Sequence, residues 1–189
     1  ADSIPGIFAD LKTRKVGFES SRMSVAQHER IAERLNDDGL PVEMTPTQDW
    51  VESLRSIKSE SEIQAIRKAL NLAETAFSNI LSEIKPGMTE KQLAWALEKA
   101  MREAGADGLS FPVIAAAGPN SALPHAIAGN RRIKAGEPIL LDWGARLDGY
   151  CSDISRTLTW GIPDKNFKTL YPIVREAQQK AIESIRPGI

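Results

Sequence analysis

Pro138-Ile-Leu-Leu-Asp142-Trp-Gly-Ala-Arg-Leu-Asp148-Gly149-Tyr-Cys-Ser-Asp153-Ile-Ser-Arg-Thr-Leu-Thr-Trp-Gly161 reads as two strands joined by a tight turn. Ile139 to Leu141 is an apolar entry into the first strand, Asp148-Gly149 is the two-residue signature of a type I′ hairpin, and Tyr150 to Trp160 is the returning strand. With that turn, Leu147 faces Tyr150, Ala145 faces Ser152 and Gly144 faces Asp153. Side chains alternate every second residue, so Asp142 shares a face with Asp153. The two carboxylates are then diagonal cross-strand neighbours, roughly 7–8 Å apart at Cα. A one-residue slip of the turn would send them to opposite faces.

Two acids side by side on apolar strands repel each other and lose hydration, and hard divalent cations take oxygen ligands. A pair of ions about 3.5–4 Å apart, bridged by shared carboxylates, suits the spacing. From the hairpin alone a second account stands beside the first, in which one Asp caps a turn and the other pairs with Arg146 or Arg156. Trp143 and Tyr150 project to the opposite face and are assigned to the core. Cys151, on the predicted Asp153 face, reads as a small buried residue before a soft metal ligand. Phe111 reads as strand core before pocket wall, and Arg156 fits a site carboxylate and an ordinary surface position equally.

The rest of the composition narrows the class. The 189 residues suffice for a real core, and 42% hydrophobic with 26% charged is the balance of a soluble globular protein. Lys and Arg number 24 against 25 Asp and Glu, so no global field recruits nucleic acid or an anionic membrane. The single cysteine excludes an internal disulfide framework and fits a reducing compartment, so the cytoplasm is the expected location. No apolar run approaches the roughly 18 residues of a membrane span, and no signal-peptide pattern opens a chain that begins at Ala1.

Along the chain, residues 1–15 show no sustained periodicity. Lys15–Glu19 is a strand candidate, Ser24 with Gln27 is a capping box for a helix ending near Gly39, and Pro41–Thr45 is a second strand. Gln48–Ile57 is a short helix. Ser59 or Ser61 caps a long helix whose Ile63, Ile66, Leu70, Ala73, Phe77 and Ile80 recur at three- and four-residue steps up to Lys85-Pro86-Gly87. Thr89 starts another, with Leu93, Leu97 and Met101 on one face, closed by Gly105. Leu109–Ala117 is a buried strand, 118–126 a loop, and Phe167–Ile185 a final amphipathic helix. Ile84-Lys-Pro-Gly-Met88 recurs as Ile185-Arg-Pro-Gly-Ile189 at an offset of 101 residues, with Leu72, Ala73, Ala76 and Leu81 matching Ile173, Val174, Ala177 and Ile182. If this is a true repeat, the second copy stops where the first goes on to its second helix and strands, and the chain holds one half of a two-fold-like domain.

Ser110 to His125 (Ser-Phe-Pro-Val-Ile-Ala-Ala-Ala-Gly-Pro-Asn-Ser-Ala-Leu-Pro-His), followed by Leu-Leu-Asp-Trp-Gly-Ala and Gly-Tyr-Cys-Ser-Asp-Ile-Ser-Arg-Thr, resembles the proline-specific branch of the pita-bread metallopeptidases, the Xaa-Pro aminopeptidases and Xaa-Pro dipeptidases. The likeness reaches back through Ile84 to Glu90 and Arg55 to Ser59, and is specific as a combination. It implies an α+β fold: the N-terminal half of a pita-bread catalytic domain over residues 56–189, preceded over 1–55 by part of a smaller α/β domain. It implies that Asp142 and Asp153 are metal ligands, Asp153 bridging two divalent ions, with manganese or cobalt the usual metals and zinc possible. His125 corresponds to the histidine outside the metal shell that contacts substrate. The substrate implied is an Xaa-Pro peptide, and the full-length protein is expected to be a homodimer with no nucleic-acid or membrane partner.

The departure from the family is that a histidine and two glutamates of later strands, one of them the general base, have no counterpart here. His28 lies in the N-terminal piece, and no histidine follows Asp153. The 189 residues alone are therefore expected to bind metal poorly and cleave little. Two other classes share the fold: creatinase-like amidinohydrolases, which usually lack the metal ligands, and non-enzymatic binding modules with decayed sites. The retained acid pair weighs against both, and the balanced charge against the second. The residues leave aminopeptidase against dipeptidase open.

Overall fold

The computed structural model describes residues 4–189; Ala1–Ser3, the start of both the aperiodic stretch and the N-terminal piece, lie outside the described residues. The chain divides into two units, residues 1–58 and 59–189. No helix among the described residues is long and apolar enough to cross a membrane.

In the first unit α1 (Ile4–Leu11) precedes β1 (Lys15–Glu19), α2 (Val25–Asp37), β2 (Glu43–Thr47) and α3 (Trp50–Ser56). The helix α1 forms where no periodicity was expected, and the reason is visible in its exposure: Ile7 and Leu11 both face solvent, so there is no buried stripe to spell out. The capping box of α2 is made, Gln27 N–H donating to Ser24 Oγ at 3.2 Å and Ser24 N–H to Gln27 Oε1 at 2.9 Å. β1 and β2 pair in parallel across α2, and β2 begins two residues later than the expected Pro41–Thr45. It includes Pro46, which a two-stranded sheet tolerates because each strand has a free edge.

The second unit carries α4 (Glu60–Ile80), α5 (Glu90–Glu103), β3 (Gly108–Leu109), β4 (Ile114–Ala117), β5 (Pro138–Trp143), β6 (Ala145–Leu147), β7 (Tyr150–Cys151), β8 (Ile154–Thr159) and α6 (Lys165–Ser184). Ser59, and not Ser61, is the cap of α4, reciprocated by Glu62; Thr89 and Gln92 do the same for α5. The small residues Ala69, Ala73 and Ala76 of α4 are fully buried and let the helix lie close against β6 and β7. Leu93, Leu97 and Met101 of α5 complete the core with Ile139, Leu141 and Trp143 of β5. In β5 the odd positions are buried and the even ones, Leu140 and Asp142 among them, are half-exposed. That alternation aims Asp142 away from the helices.

Trp143 Nε1 donates to the Ala73 carbonyl at 3.0 Å, and its ring lies 4.8 Å from that of Phe77. Trp143→Phe keeps much of the apolar contact and loses the bond, so a loss of about 1–2 kcal/mol is expected from a denaturant titration. An unchanged midpoint would show the bond to be dispensable.

The hairpin has the expected register. Asp148 (φ 51°) and Gly149 (φ 79°) both take the left-handed conformation of a type I′ turn, Leu147 pairs with Tyr150, and the same pairing continues to Asp142 with Ser155 and Pro138 with Thr159. The strands are not continuous, however. β3, β6 and β7 form one three-stranded sheet and β4, β5 and β8 another. The expected strand Leu109–Ala117 breaks at residues 110–113, where Pro112 has no N–H to give to a ladder and the Ser110 hydroxyl donates to the Ala145 carbonyl at 3.0 Å. The hairpin strands break at Gly144 and at Ser152-Asp153. There Ala145 N–H donates to Ser152 Oγ at 3.0 Å in place of a backbone carbonyl, and a Cβ on Gly144 would overlap the Ser152 carbonyl oxygen.

The echo of the first helix end in the second is also structural. Ile84 and Ile185 have φ, ψ of −68°, 117° and −68°, 122°, and Gly87 and Gly188 have φ of 89° and 91°. The surroundings differ: Ala73 and Ala76 are buried, whereas their matches Val174 and Ala177 on α6 are exposed, and α6 has no buried residue.

Candidate metal and substrate site

Asp142 on β5, Asp153 between β7 and β8, and His125 on the loop after β4 line one hollow of about 530 Å³. Its apolar wall includes Phe111, Val113, Ile114 and Ile127. The turn at Asp148-Gly149 and the alternation that runs back from it set Asp142 and Asp153 on one side, and the chain crosses from one sheet to the other at Gly144 between them.

Asp142 lies opposite Ser155 in the β5–β8 ladder and shares the hollow with Asp153. Burial, and next the charge of Asp153, raise its pKa above the ordinary value of 3.8, against smaller opposing effects of the Ser155 hydrogen bond and His125. Asp142 Oδ1 is buried and has no hydrogen-bond partner. Among the described residues no ion pair joins an arginine to either acid; Arg156 pairs instead with Glu74 at 3.2 Å on the surface. The account in which the acids are absorbed by private arginine partners is therefore not the one the chain adopts. Nor do three or more His, Cys, Asp or Glu side chains gather as a metal-holding group among the described residues.

Two side chains depart from expectation. Cys151 is exposed and absent from the hollow, on a two-residue strand at the edge of its sheet. Phe111 lines the hollow and is not strand core, because the strand is broken on either side of Pro112. Ser155, whose pairing with Asp142 follows from the register, was not singled out by the sequence. Glu90, buried beneath the His125 loop, was recognised only as part of a motif.

Comparison with known proteins gives the family and the fold. Residues 64–189 match the model of metallopeptidase family M24. The uncharacterized peptidase YqhT of Bacillus subtilis is 39% identical over 176 residues, which are 93% of this chain and 49% of the relative. An Xaa-Pro dipeptidase of Pyrococcus horikoshii is 42% identical over 147 residues, 78% of this chain and 42% of that protein. Among solved structures, an X-Pro aminopeptidase from Thermotoga maritima superposes with a TM-score of 0.91 at 35% identity, and an Xaa-Pro dipeptidase from Bacillus anthracis with 0.91 at 38%. Each is matched by 100% of this chain over 52% of its own. The chain thus spans about half the length of the relatives it matches. Its mixed helices and strands are those of the pita-bread domain, and the chain belongs to metallopeptidase family M24.

Proposed function

We propose that residues 56–189 are the first half of the catalytic domain of a metal-dependent exopeptidase that hydrolyses the bond before proline, preceded by part of a smaller domain, with Asp142 and Asp153 as metal ligands and His125 in contact with the substrate. One observation carries the reading: a buried carboxylate oxygen of Asp142 has no hydrogen-bond partner and lies beside a second carboxylate. Leaving a buried acceptor unpaired costs about 1–3 kcal/mol, and an adjacent like charge adds to it. A hard divalent cation removes both costs at once.

When bound, such ions supply Lewis acidity toward the scissile carbonyl and activate water. Oxygen donors suit manganese, and the family likeness adds cobalt, with zinc a further possibility. The chain's own residues do the remaining work on this side of the site. The exposed imidazole of His125 is available to donate to the carbonyl oxygen, and Phe111, Val113 and Ile127 offer an apolar wall to a proline ring. An Xaa-Pro amide has no N–H, so a wall without acceptors loses nothing against it. The names of the relatives, Xaa-Pro dipeptidase and X-Pro aminopeptidase, support the same substrate class.

The test is a Leu-Pro-containing peptide with manganese. The protein at the full length of its relatives is expected to release the residue before proline and to stop on chelation, and the 189-residue chain alone is expected to leave the peptide intact. No cleavage by the full-length protein with metal would sink the assignment. Brisk cleavage by the short chain would overturn the claim that the site needs further residues.

A further inference from the structure

We propose that Glu90 is the positioning residue for His125, a role that rests on the reading of His125 as the substrate contact. Glu90 is the first residue of α5, where an acid favours the helix dipole from an exposed position. Here it is 1% exposed. A buried carboxylate is expensive unless its lone pairs are matched, and this one is matched by a particular set of donors. Ala117 N–H reaches Oε1 at 2.9 Å and Gly129 N–H reaches Oε2 at 3.0 Å, while Asn120 Nδ2 donates to the two oxygens at 3.0 and 3.2 Å.

Those donors are the two ends of one excursion. Ala117 is the last residue of β4, Gly129 is where the chain returns, and His125 lies between them. The return is stitched to the same helix start by backbone bonds, Glu90 N–H to the Arg131 carbonyl and Lys91 N–H to the Gly129 carbonyl, both at 3.0 Å. His125 itself has φ 58°. A non-glycine residue in that region costs about 1–3 kcal/mol and persists only where its surroundings over-determine it. Within the excursion Leu123, Pro124 and Ile127 are exposed and add little anchorage. Glu90 supplies the constraint: one carboxylate closes the loop at its base and presents the imidazole over Asp142 and Asp153 in a single place. Glu90→Gln keeps the shape but turns an amide NH2 toward one of the N–H donors, which opens the clamp.

Two measurements test this. In the 189-residue chain, hydrogen exchange of Glu90→Gln is expected to lose about tenfold in protection at amides between residues 117 and 129, the size of one lost buried bond, with α4 and β5 unchanged. Loss spread through the whole second unit, or no loss, overturns the clamp. In the full-length protein, Glu90→Gln is expected to lower kcat about tenfold with KM little changed, and to add less than about twofold in a His125→Ala background. Additive losses overturn a role acting through His125. If Glu90→Gln does not fold, Asn120→Ala, which removes two of the four bonds and keeps the carboxylate, is expected to show the same two signatures. If the wild-type protein leaves Xaa-Pro peptides uncut, the assigned reaction fails, and the exchange experiment still decides whether Glu90 holds the loop.

Discussion

Asp142→Asn is expected to destroy Xaa-Pro hydrolysis in the full-length protein and, in the absence of metal, to make the 189-residue chain more stable. The first half follows from the proposed ligand role. Losing a ligand that holds a Lewis acid worth several kcal/mol at the transition state lowers kcat/KM by roughly 10³-fold or more. The second half follows from the carboxyl's surroundings. Burial, then the charge of Asp153, raise the pKa of Asp142 above 3.8. In the folded chain the proton is held more tightly than in the unfolded one, so the stability it contributes is fully present below 3.8 and is lost as pH rises through the raised folded value. At neutral pH the ionised group opposes folding, and asparagine, which cannot ionise, does not. Thermal melts with chelator should give a higher midpoint for Asp142→Asn at pH 7, and a gain that shrinks as the pH is taken down through that window. A midpoint below wild type at pH 7 would mean that Asp142 is a structural partner, and activity surviving the substitution would remove it from the metal site. A residue that costs stability and is needed for chemistry is the usual signature of a site built for a ligand.

The acid pair was legible because the information that sets it is local. Asp148-Gly149 requires two successive positive φ angles, which fixes the turn, and alternation carries the register back to Asp142 and forward to Asp153. The capping boxes at Ser24, Ser59 and Thr89 are local in the same sense. What the sequence did not disclose depends on partners far along the chain. Glu90 finds its donors 27, 30 and 39 residues away, so from its neighbours it looks like an ordinary helix-start acid. Cys151 alternates like an inward residue but sits on an edge strand, and alternation carries no information about which strand is last. The division into two sheets was written only faintly, as a glycine inside a strand and a proline inside an apolar run.

Gly144→Ala is expected to be the most damaging single methyl that can be added to the second unit. At Gly144 the added Cβ would overlap the carbonyl oxygen of Ser152 and come within 2.8 Å of Ser110 Oγ. The first of these atoms belongs to backbone, in the strand that leads to Asp153, and cannot swing aside as a flexible side chain could. Relief requires the crossing strands to part, which breaks the bonds that Ala145 N–H and Ser152 N–H make at 3.0 and 2.9 Å. Overpacking that moves backbone costs about 3 kcal/mol or more, and the separation also draws Asp153 away from Asp142. Gly149→Ala is the control: no atom lies within 4 Å of its Cβ, so only the strain of φ 79° remains, about 1 kcal/mol. Denaturant titrations should rank the two with Gly144→Ala well below Gly149→Ala. In the full-length protein Gly144→Ala should also lose manganese-dependent stabilisation that Gly149→Ala keeps. Equal effects of the two substitutions would mean that the crossing point is pliable and that the acids are held together by the turn alone.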